Sequence, residues 1–599
     1  MIYAVEKEKC TGCKACGDVC PTGAIRFDTD MEGFWYPKVD ENRCIKCKKC
    51  LNTCPALLLP CHTTQRAYAA WNRNDETRRR STSGGVYEVL ARIMLEQGYC
   101  LAACEYDDDF CGAHHKVGNT EDDLKKMIGS KYFQSDTAGI YQKIKTLLKA
   151  GEKVFFTGTP CQVAAVYQFI GERPRNLVTC DFICRGVPSP MMQKKKIEYY
   201  QAKYHTKVIG YQDKYKEYSW SFFGQKVRFQ NGKTLFVNRY VDWFNDCYVK
   251  YNLNIRPSCF ACTFKQENHL SDITIGDFWG IKGCSEKDLR DGISAVITNT
   301  PVGEELLRGA AHDLFVMQRT IQEVGAGNPA HMGAPKPGPE REALFRDVQS
   351  MNLKRAILKN TPSRTLKTRI QNYSTVLKGR LMPYKDLIKN APRVRWGKFI
   401  YYNFLAKQIN RDRWCFLIPF GNCDIRLAPD AKIELHGNLL INYYAGQKGK
   451  GASQLQLDSK AVFVVRNRAE FAFGSVVTIH QNAYFETGAI HTRSGPCIIC
   501  NNKIVMGENV MFGRDVCVFD SDFHGVFDLD GTRLNPDSPV YIEDNVWLGA
   551  KSMVLKGVTV HKGAIVGAGT VVKTDVAEKR RYVSLQQAES IGREVFWEK

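Results

Sequence analysis

Residues 541–576 divide into six consecutive blocks of six, YIEDNV, WLGAKS, MVLKGV, TVHKGA, IVGAGT and VVKTDV, whose second residues are Ile542, Leu548, Val554, Val560, Val566 and Val572. All are aliphatic. The same phase fits VMGENV, MFGRDV and CVFDSD, with Met506, Phe512 and Val518 in second place, and AFGSVV, TIHQNA and YFETGA, with Phe473, Ile479 and Phe485. A strict period of six excludes an amphipathic helix, whose apolar stripe needs a period of 3.6. It predicts a parallel β-helix in which three hexapeptides make one triangular coil and the second-position side chains stack inside.

Cysteine spacing is the next constraint. Of 24 cysteines, eight fall in two copies of one pattern: Cys10, Cys13, Cys16 and Cys20 followed by Pro21, and Cys44, Cys47, Cys50 and Cys54 followed by Pro55. This resembles the bacterial two-cluster ferredoxin, in which the fourth cysteine of each run ligates the other cluster. The resemblance assigns Cys10, Cys13, Cys16 and Cys54 to one [4Fe–4S] cluster and Cys44, Cys47, Cys50 and Cys20 to a second. Soft thiolates suit iron–sulfur cores, and a zinc site would use four ligands rather than eight in this order. Such clusters carry single electrons between a donor and an acceptor. The chain opens MIYAVEKEKC without an apolar leader, so the cysteines read as metal chemistry in a reducing cytoplasm rather than disulfides. No apolar run is long enough to span a bilayer.

Between residues 67 and 284 the chain carries RRRSTSGGVYEVL, VFFTGTPCQVAAV, CDFICRGVPSP and RPSCFACTFK, followed by SDITIGDFWG. Ser81, Ser83, Gly84 and Gly85 precede an amphipathic stretch, a turn and helix start able to receive a phosphate. An apolar strand from Val154 to Phe156 leads into a loop with Cys161. These segments resemble the coenzyme F420 hydrogenase/dehydrogenase beta-subunit family. The resemblance implies a flavin (FAD), a third [4Fe–4S] cluster on Cys161, Cys184, Cys259 and Cys262, and electron exchange with a hydride carrier, deazaflavin F420 or another. For Cys161 and Cys184 the alternative is a buried structural thiol, and for Cys259 and Cys262 it is zinc. This chain has Arg185 where the family commonly has His. A fixed positive charge there would stabilise negative charge added on reduction.

Residues 425–576, most clearly from Ile504 onward, resemble the left-handed β-helix acyltransferases with hexapeptide repeats. That family implies acetyl-CoA bound along the coils between the protomers of a homotrimer, and a histidine on an excursion from the helix that deprotonates an acceptor hydroxyl. The repeat breaks after Asp522 and resumes at Tyr541, and His524 sits in the gap. His524 is the expected general base, with Asp520 or Asp522 to orient it. Trp547, Gly549, Ala550, Gly567, Ala568 and Lys573 match the part of the family motif that borders CoA, while Ala577 stands where Pro is common. His480, His491 and His561 lie within repeat blocks and are expected to line or cap the solenoid.

Net charge is +21, and residues 351–414 hold sixteen Lys or Arg against Asp386 and Asp412. A segment of this kind reads either as a cationic face for an anionic membrane or charged substrate, or as a solvated linker. No nucleic-acid reading motif accompanies it, so nucleic acid is not an expected partner. The expected fold is multidomain: a small α+β ferredoxin module (1–60), an α/β or α+β flavin-type oxidoreductase domain (61–335), a basic linker with helices (336–420) and a left-handed parallel β-helix (421–599). The expected function is an iron–sulfur flavoprotein oxidoreductase fused to an acetyl-CoA-dependent O-acetyltransferase. A saccharide or lipid-linked sugar of polysaccharide or glycoconjugate biosynthesis is the expected acceptor, and a redox protein or hydride carrier the electron partner. The location is cytoplasmic, or the inner face of the membrane. Two rivals stand beside this: an electron-transfer protein whose β-helix is a trimerisation scaffold, and an acyltransferase regulated by redox-sensing clusters.

Overall fold

The computed structural model describes residues 2, 5–58, 63–362, 366–381, 384–412, 414–443, 451–528, 530, 532–578, 582–583 and 590–591. Cys61, and Arg364 and Arg413 of the basic segment, lie outside the described residues. The chain divides into two compact units, 1–380 and 381–599.

In the first unit the duplicated cysteine pattern folds as a duplicated loop. Gly12 and Lys46, each two residues into its run, have φ of 67° and 56°, and Lys14 and Lys48, each four residues in, have φ of 60° and 61°. These left-handed residues turn the backbone so that successive cysteines face one centre, and the short helices Ala15–Asp18 and Lys49–Asn52 follow them. The antiparallel strands Ile25–Thr29 and Trp35–Val39 join the two runs.

The body of this unit is an eight-stranded sheet. Four strands, Tyr99–Tyr106, Lys153–Thr157, Leu177–Phe182 and Ile273–Asp277, run parallel at its centre, flanked by Ala113–Gly118 on one side and by Ser294–Thr298, Arg66–Asn72 and Leu314–Arg319, all antiparallel to their neighbours, on the other. Alternation along Lys153–Thr157 shows why helices cover both faces: Phe155 packs with Val86, Leu90 and Leu307 on one side, and Val154 and Phe156 with Ile144, Val163 and Phe169 on the other. Helix Pro160–Ile170 starts where TPCQ predicts a start, with Pro160 in its first turn and Gln162 Oε1 accepting from the N–H of Thr159 at 2.9 Å. Gly171, at φ 90°, ends it.

Residues 336–420, expected as one linker, divide between the units. Helices Arg341–Ser350 and Leu353–Asn360 bury Phe345, Val348 and Ile357 against Phe34, Met192 and Trp243 of the first unit. Strands Ile409–Arg411 and Leu417–Pro419 already belong to the solenoid.

The second unit is the left-handed parallel β-helix. Its three parallel sheets stack coil upon coil, and Ile542, Leu548 and Val554 pair with Val560, Val566 and Val572 on the next coil. All six side chains belong to one continuous core with Met506, Phe512, Val518, Ile479 and Phe485. The expected place of Phe473 is corrected: strand Ala469–Phe471 ends two residues earlier, Phe471 is the inward side chain, and Phe473 lies in the turn beside Gly474 at φ 75°. The excursion between Phe519 and Val540 leaves the stack in register, since Val518 pairs directly with Val554.

Phe463 and Phe485 stack inside at 4.8 Å between ring centroids. Phe485→Ala should therefore leave an unfillable cavity and destabilise the solenoid by about 3–5 kcal/mol in urea unfolding.

Candidate active sites in the two units

Two groups of thiols form in the ferredoxin-like segment. Cys13, Cys16 and Cys54 have one another or Cys10 as charge neighbours, and burial pushes Cys13 up to about 12 and Cys54 up to about 11. Cys20, Cys44, Cys47 and Cys50 line a separate small cavity, with the N–H of Ala24 donating to Cys20 Sγ at 3.3 Å. The fourth cysteine of each run has thus crossed to the other group. Among the described residues, no three His, Cys, Asp or Glu side chains converge as ligands of a single ion do. The thiols stand in wider sets, and thiolates gathered in this way fit a multi-iron core whose cations offset their mutual repulsion.

A third group sits in the body of the first unit. Cys161, on the first turn of helix Pro160–Ile170, has Cys262, Cys184 and Cys259 as charge neighbours. Burial raises Cys184 to about 11 and Cys259 to about 12. Lys265 Nζ donates to Cys184 O at 2.5 Å and Ala330 O at 2.9 Å, which fixes the loop that carries Cys184. Cys180 and Cys247 are wholly buried core thiols outside these groups.

One residue joins the first group to the third. Arg256 is wholly buried and donates to Cys10 O at 2.8 Å, Gln134 Oε1 at 3.0 Å and Trp35 O at 3.0 Å, with Nη2 3.7 Å from Cys10 Sγ. Its own carbonyl accepts from the N–H of Cys259 at 3.0 Å. Sequence reasoning missed it, although it opens the RPSCFAC segment, because its partners lie more than a hundred residues away.

A cavity of about 810 Å³ opens at the C-terminal ends of the parallel strands, bounded by Thr157, Ile183, Cys184, Arg185 and Asp277. This is where open α/β sheets bind ligands, and the volume lies in the usual range for small-molecule sites. Ser81, Ser83 and Gly85 line it. Gly84 does not: a Cβ there would meet Ala70 O at 2.5 Å and Ser294 N at 2.8 Å, so the residue is a packing glycine against the sheet. The loop is held from behind by Lys216 Nζ, which donates to Arg78 O and Ser83 O at 2.6 Å each and also to Asp291 O. Arg78, wholly buried, donates to Gly292 O at 2.8 Å and Asp288 Oδ1 at 2.9 Å.

Cations and aromatic faces share the cavity wall. Lys214 Nζ bonds both carboxylate oxygens of Asp277 at 2.5 Å and lies 5.0 Å over the rings of Phe223 and Trp279. Arg185 donates to Val249 O at 2.5 Å and Asn252 Oδ1 at 2.9 Å, while its Nε is buried without a hydrogen-bond partner. An orphaned guanidinium nitrogen in a wall of this volume fits a flat, anionic, hydrogen-bonding ligand of the flavin class. His115, another wall residue, stacks on Phe156 and lies 3.2 Å from Thr157 O and 3.3 Å from Ser135 Oγ through its two ring nitrogens.

In the solenoid, His524 projects from the excursion with an exposed ring. His436, His480, His491 and His561 each pair through Nδ1 with a carboxylate, of Asp412, Asp458, Glu470 and Glu543. Among the described residues His524 has no such partner. The orienting role expected of Asp520 is corrected: it is wholly buried, and its two oxygens accept from the N–H groups of Asn501 at 2.7 Å and Asn502 at 2.8 Å. Asp522 is likewise committed elsewhere, to Lys556 Nζ at 2.6 Å and Asn535 Nδ2 at 3.0 Å, and these hold its carboxyl below the usual carboxylate range. Asn535, which sequence reasoning missed, also donates to His524 O at 2.8 Å and accepts from Val526 N at 2.6 Å, closing the loop as a hairpin.

Of the residues expected along CoA, Gly549 and Ala550 stack directly over Gly567 and Ala568 of the next coil, below the half-exposed Trp547. A Cβ on Gly549 would meet Ala568 N at 2.6 Å, so coil stacking by itself demands glycine there. Lys573 follows strand Val571–Val572 in the neighbouring sheet and is exposed.

Three family models match separate stretches: a 4Fe–4S dicluster domain over residues 9–57, the C terminus of the coenzyme F420 hydrogenase/dehydrogenase beta subunit over residues 151–323, and the bacterial transferase hexapeptide (six repeats) over residues 539–574. The chain is 37% identical over 99 residues to a galactoside O-acetyltransferase of Lactococcus lactis, a match covering 16% of this chain and 47% of that protein. It is 59% identical over 39 residues to a 2,3,4,5-tetrahydropyridine-2,6-dicarboxylate N-acetyltransferase of Staphylococcus aureus, covering 6% of this chain and 16% of that one. The chain therefore spans under half the length of each of these curated relatives. The F420-reducing [NiFe] hydrogenase complex from Methanosarcina barkeri aligns at 21% identity with a TM-score of 0.31, over 50% of this chain and 90% of that one. The molecule thus fuses an iron–sulfur, F420-hydrogenase-beta-like unit to a hexapeptide unit similar to acetyltransferases. No helix among the described residues is long and apolar enough to cross a membrane.

Burial lowers His115 to about 4, against about 6.5 in an unfolded chain. The unfolded chain binds the extra proton between these values, so the stability that the buried neutral His115 contributes is fully present above pH of about 6.5 and falls by up to roughly 1.4 kcal/mol per pH unit below it. His115→Gln should flatten that part of the profile in urea melts taken between pH of about 7 and about 5.

Proposed function

We propose that the chain carries two chemistries: electron transfer between iron–sulfur clusters, a flavin and a hydride carrier in the first unit, and acetyl transfer from acetyl-CoA to a saccharide hydroxyl in the second. The first rests on the three thiol groupings and on the cavity whose wall includes Cys184. Cys10, Cys13, Cys16 and Cys54 would hold one [4Fe–4S] cluster, Cys20, Cys44, Cys47 and Cys50 a second, and Cys161, Cys184, Cys259 and Cys262 a third. Ser81, Ser83 and Gly85 would bind the phosphates of FAD at the start of helix Val86–Glu96, whose N-terminal N–H groups favour anions. Bound there, a flavin supplies the exchange of a two-electron hydride for single electrons. Arg185 and Lys214 offset negative charge in the cavity, and Arg256 does so beside Cys10. The hydride carrier itself, F420 or another, is set by the remaining cavity wall.

For the second chemistry the supporting observation is His524, an exposed ring on a backbone fixed by Asn535, on the long excursion that interrupts the most regular part of the repeat. Its ring nitrogen takes the proton of the acceptor hydroxyl as the oxygen attacks the thioester carbonyl; the C–S bond breaks, and the same proton passes to the departing CoA thiolate. Trp547, Gly549, Ala550, Gly567 and Ala568 would form the wall along which CoA lies. A saccharide acceptor is favoured by the galactoside specificity in the name of the Lactococcus relative. A homotrimer is supported by Phe523, Val526, Phe527 and Leu534, apolar side chains exposed on the excursion and placed to be covered by a neighbouring copy.

Anaerobically purified protein should contain about twelve irons and one flavin per chain. Cys54→Ser should remove about four irons and leave the flavin. A content of about eight irons with bound zinc and no flavin would restrict the first unit to the two ferredoxin-like clusters. His524→Ala should lower acetyl transfer to a panel of saccharides by about 10²–10⁴-fold while iron content and the unfolding transition stay unchanged. Unaltered transfer would make the solenoid a scaffold.

A further inference from the structure

The start of the second unit exposes a run of large apolar side chains. Ile388, Trp396, Ile400, Tyr401, Phe404 and Leu405 are 54%, 47%, 51%, 51%, 60% and 67% exposed. They are not scattered: Ile388, Trp396 and Phe404 form the rim of an apolar cavity of about 460 Å³ floored by Leu387, Phe399 and Phe416. A cluster of this size on a soluble surface marks something that covers it.

Charge says what kind of cover. Between residues 385 and 407 stand six cations, Lys385, Lys389, Arg393, Arg395, Lys398 and Lys407, all on the exposed surface, and one acid, Asp386. Asp386 is turned inward, 8% exposed, where it is bonded by Arg468 and by Asn438 Nδ2 at 2.9 Å. Its charge is neutralised within the fold, so every exposed charge carried by residues 385–407 is positive. The short helices Lys385–Asn390 and Trp396–Ile400 that carry the cluster lie along the surface, and neither approaches the length of a spanning helix. The helix Leu366–Leu381 shows a similar pattern, with Ile370, Tyr373 and Leu377 exposed at helical spacing and no acid in its sequence. A tryptophan and other large apolar side chains ringed by Lys and Arg make the composition of a segment that lies in the interface of an anionic bilayer.

We propose that residues 385–407 are a membrane-docking surface for anionic lipid, with Trp396, Ile400 and Phe404 entering the acyl-chain boundary and the surrounding cations meeting the headgroups. The proposal is independent of both catalytic assignments, since its readout is binding alone. The test is co-sedimentation of the full, metal-loaded chain with vesicles of phosphatidylcholine, with and without phosphatidylglycerol. The protein is expected to sediment with the anionic vesicles and stay in solution with the neutral ones. Lys389→Gln and Lys407→Gln should each weaken binding roughly 5-fold, and the double variant Trp396→Ser, Phe404→Ser roughly 10-fold or more. Trp396 and Phe404 also pack on Phe399, so the unfolding transition is followed in parallel, and the exposed Lys389 and Lys407, whose replacement should leave that transition in place, separate lost docking from lost folding. The proposal fails if the double variant sediments like the parent, or if neutral and anionic vesicles are bound alike or not at all. It fails too if light scattering shows that the double variant dissociates an oligomer while the parent ignores vesicles, which would give the patch to a second copy of the chain.

Discussion

A buried guanidinium holds the ferredoxin-like loops of the first unit against its sheet domain. Arg256 lies among the backbone carbonyls of Cys10 and Trp35, the side chain of Gln134 and the ring of Tyr36 at 4.4 Å, so every side of its charge is met by a polar atom or an aromatic face. A charge buried this deeply would be costly if any of these partners were missing. The arrangement therefore specifies one docking of the ferredoxin-like loops on the sheet domain. Thr137 Oγ1, donating to Cys13 O at 2.6 Å, and Lys14 Nζ, 2.7 Å from Asp136, add to the same contact. The spacing between the first thiol group and the group containing Cys259 is set by side-chain geometry rather than by a flexible tether. That is what electron transfer across a protein requires, because its rate depends on fixed separation.

The two units obtain their order from different physics. In the first, a parallel sheet with helices on both faces brings together residues far apart in sequence, and the cavity forms where the strands end. In the solenoid each coil rests on the previous one, and the core from Leu417 to Val576 is one column of aliphatic and aromatic side chains. Both candidate sites nevertheless depend on loops held by a rigid frame. Lys216 does for the STSGG loop what Asn535 and Lys556 do for the excursion, fixing backbone carbonyls and side chains that the frame leaves loose.

How much of this could be read in the sequence follows from the range of each interaction. The hexapeptide phase is local, and it placed the inward side chains correctly except Phe473, where the strand ends early and Phe471 takes the slot. The two cysteine runs are local as well, and the likeness of their loops survives in the matched left-handed residues at Gly12 and Lys46 and at Lys14 and Lys48. What the sequence hid was long-range. Nothing near Arg256 reveals its bond to Cys10, and nothing near Asp520 reveals that its carboxylate caps the N–H groups of Asn501 and Asn502. The glycines carry a second constraint that the sequence did not show: at Gly84 and Gly549 another stretch of backbone lies against the residue, which by itself demands a small one.

The excursion that carries His524 departs after Phe519 and returns at Val540 without displacing the coils on either side, because Val518 and Val554 pair as though it were absent. Its length and composition are thereby released from the geometry of the solenoid. The frame can keep its coils while the hairpin is exchanged, shortened or elaborated, so whatever His524 meets is decided by an interchangeable part on a scaffold that does not register the change.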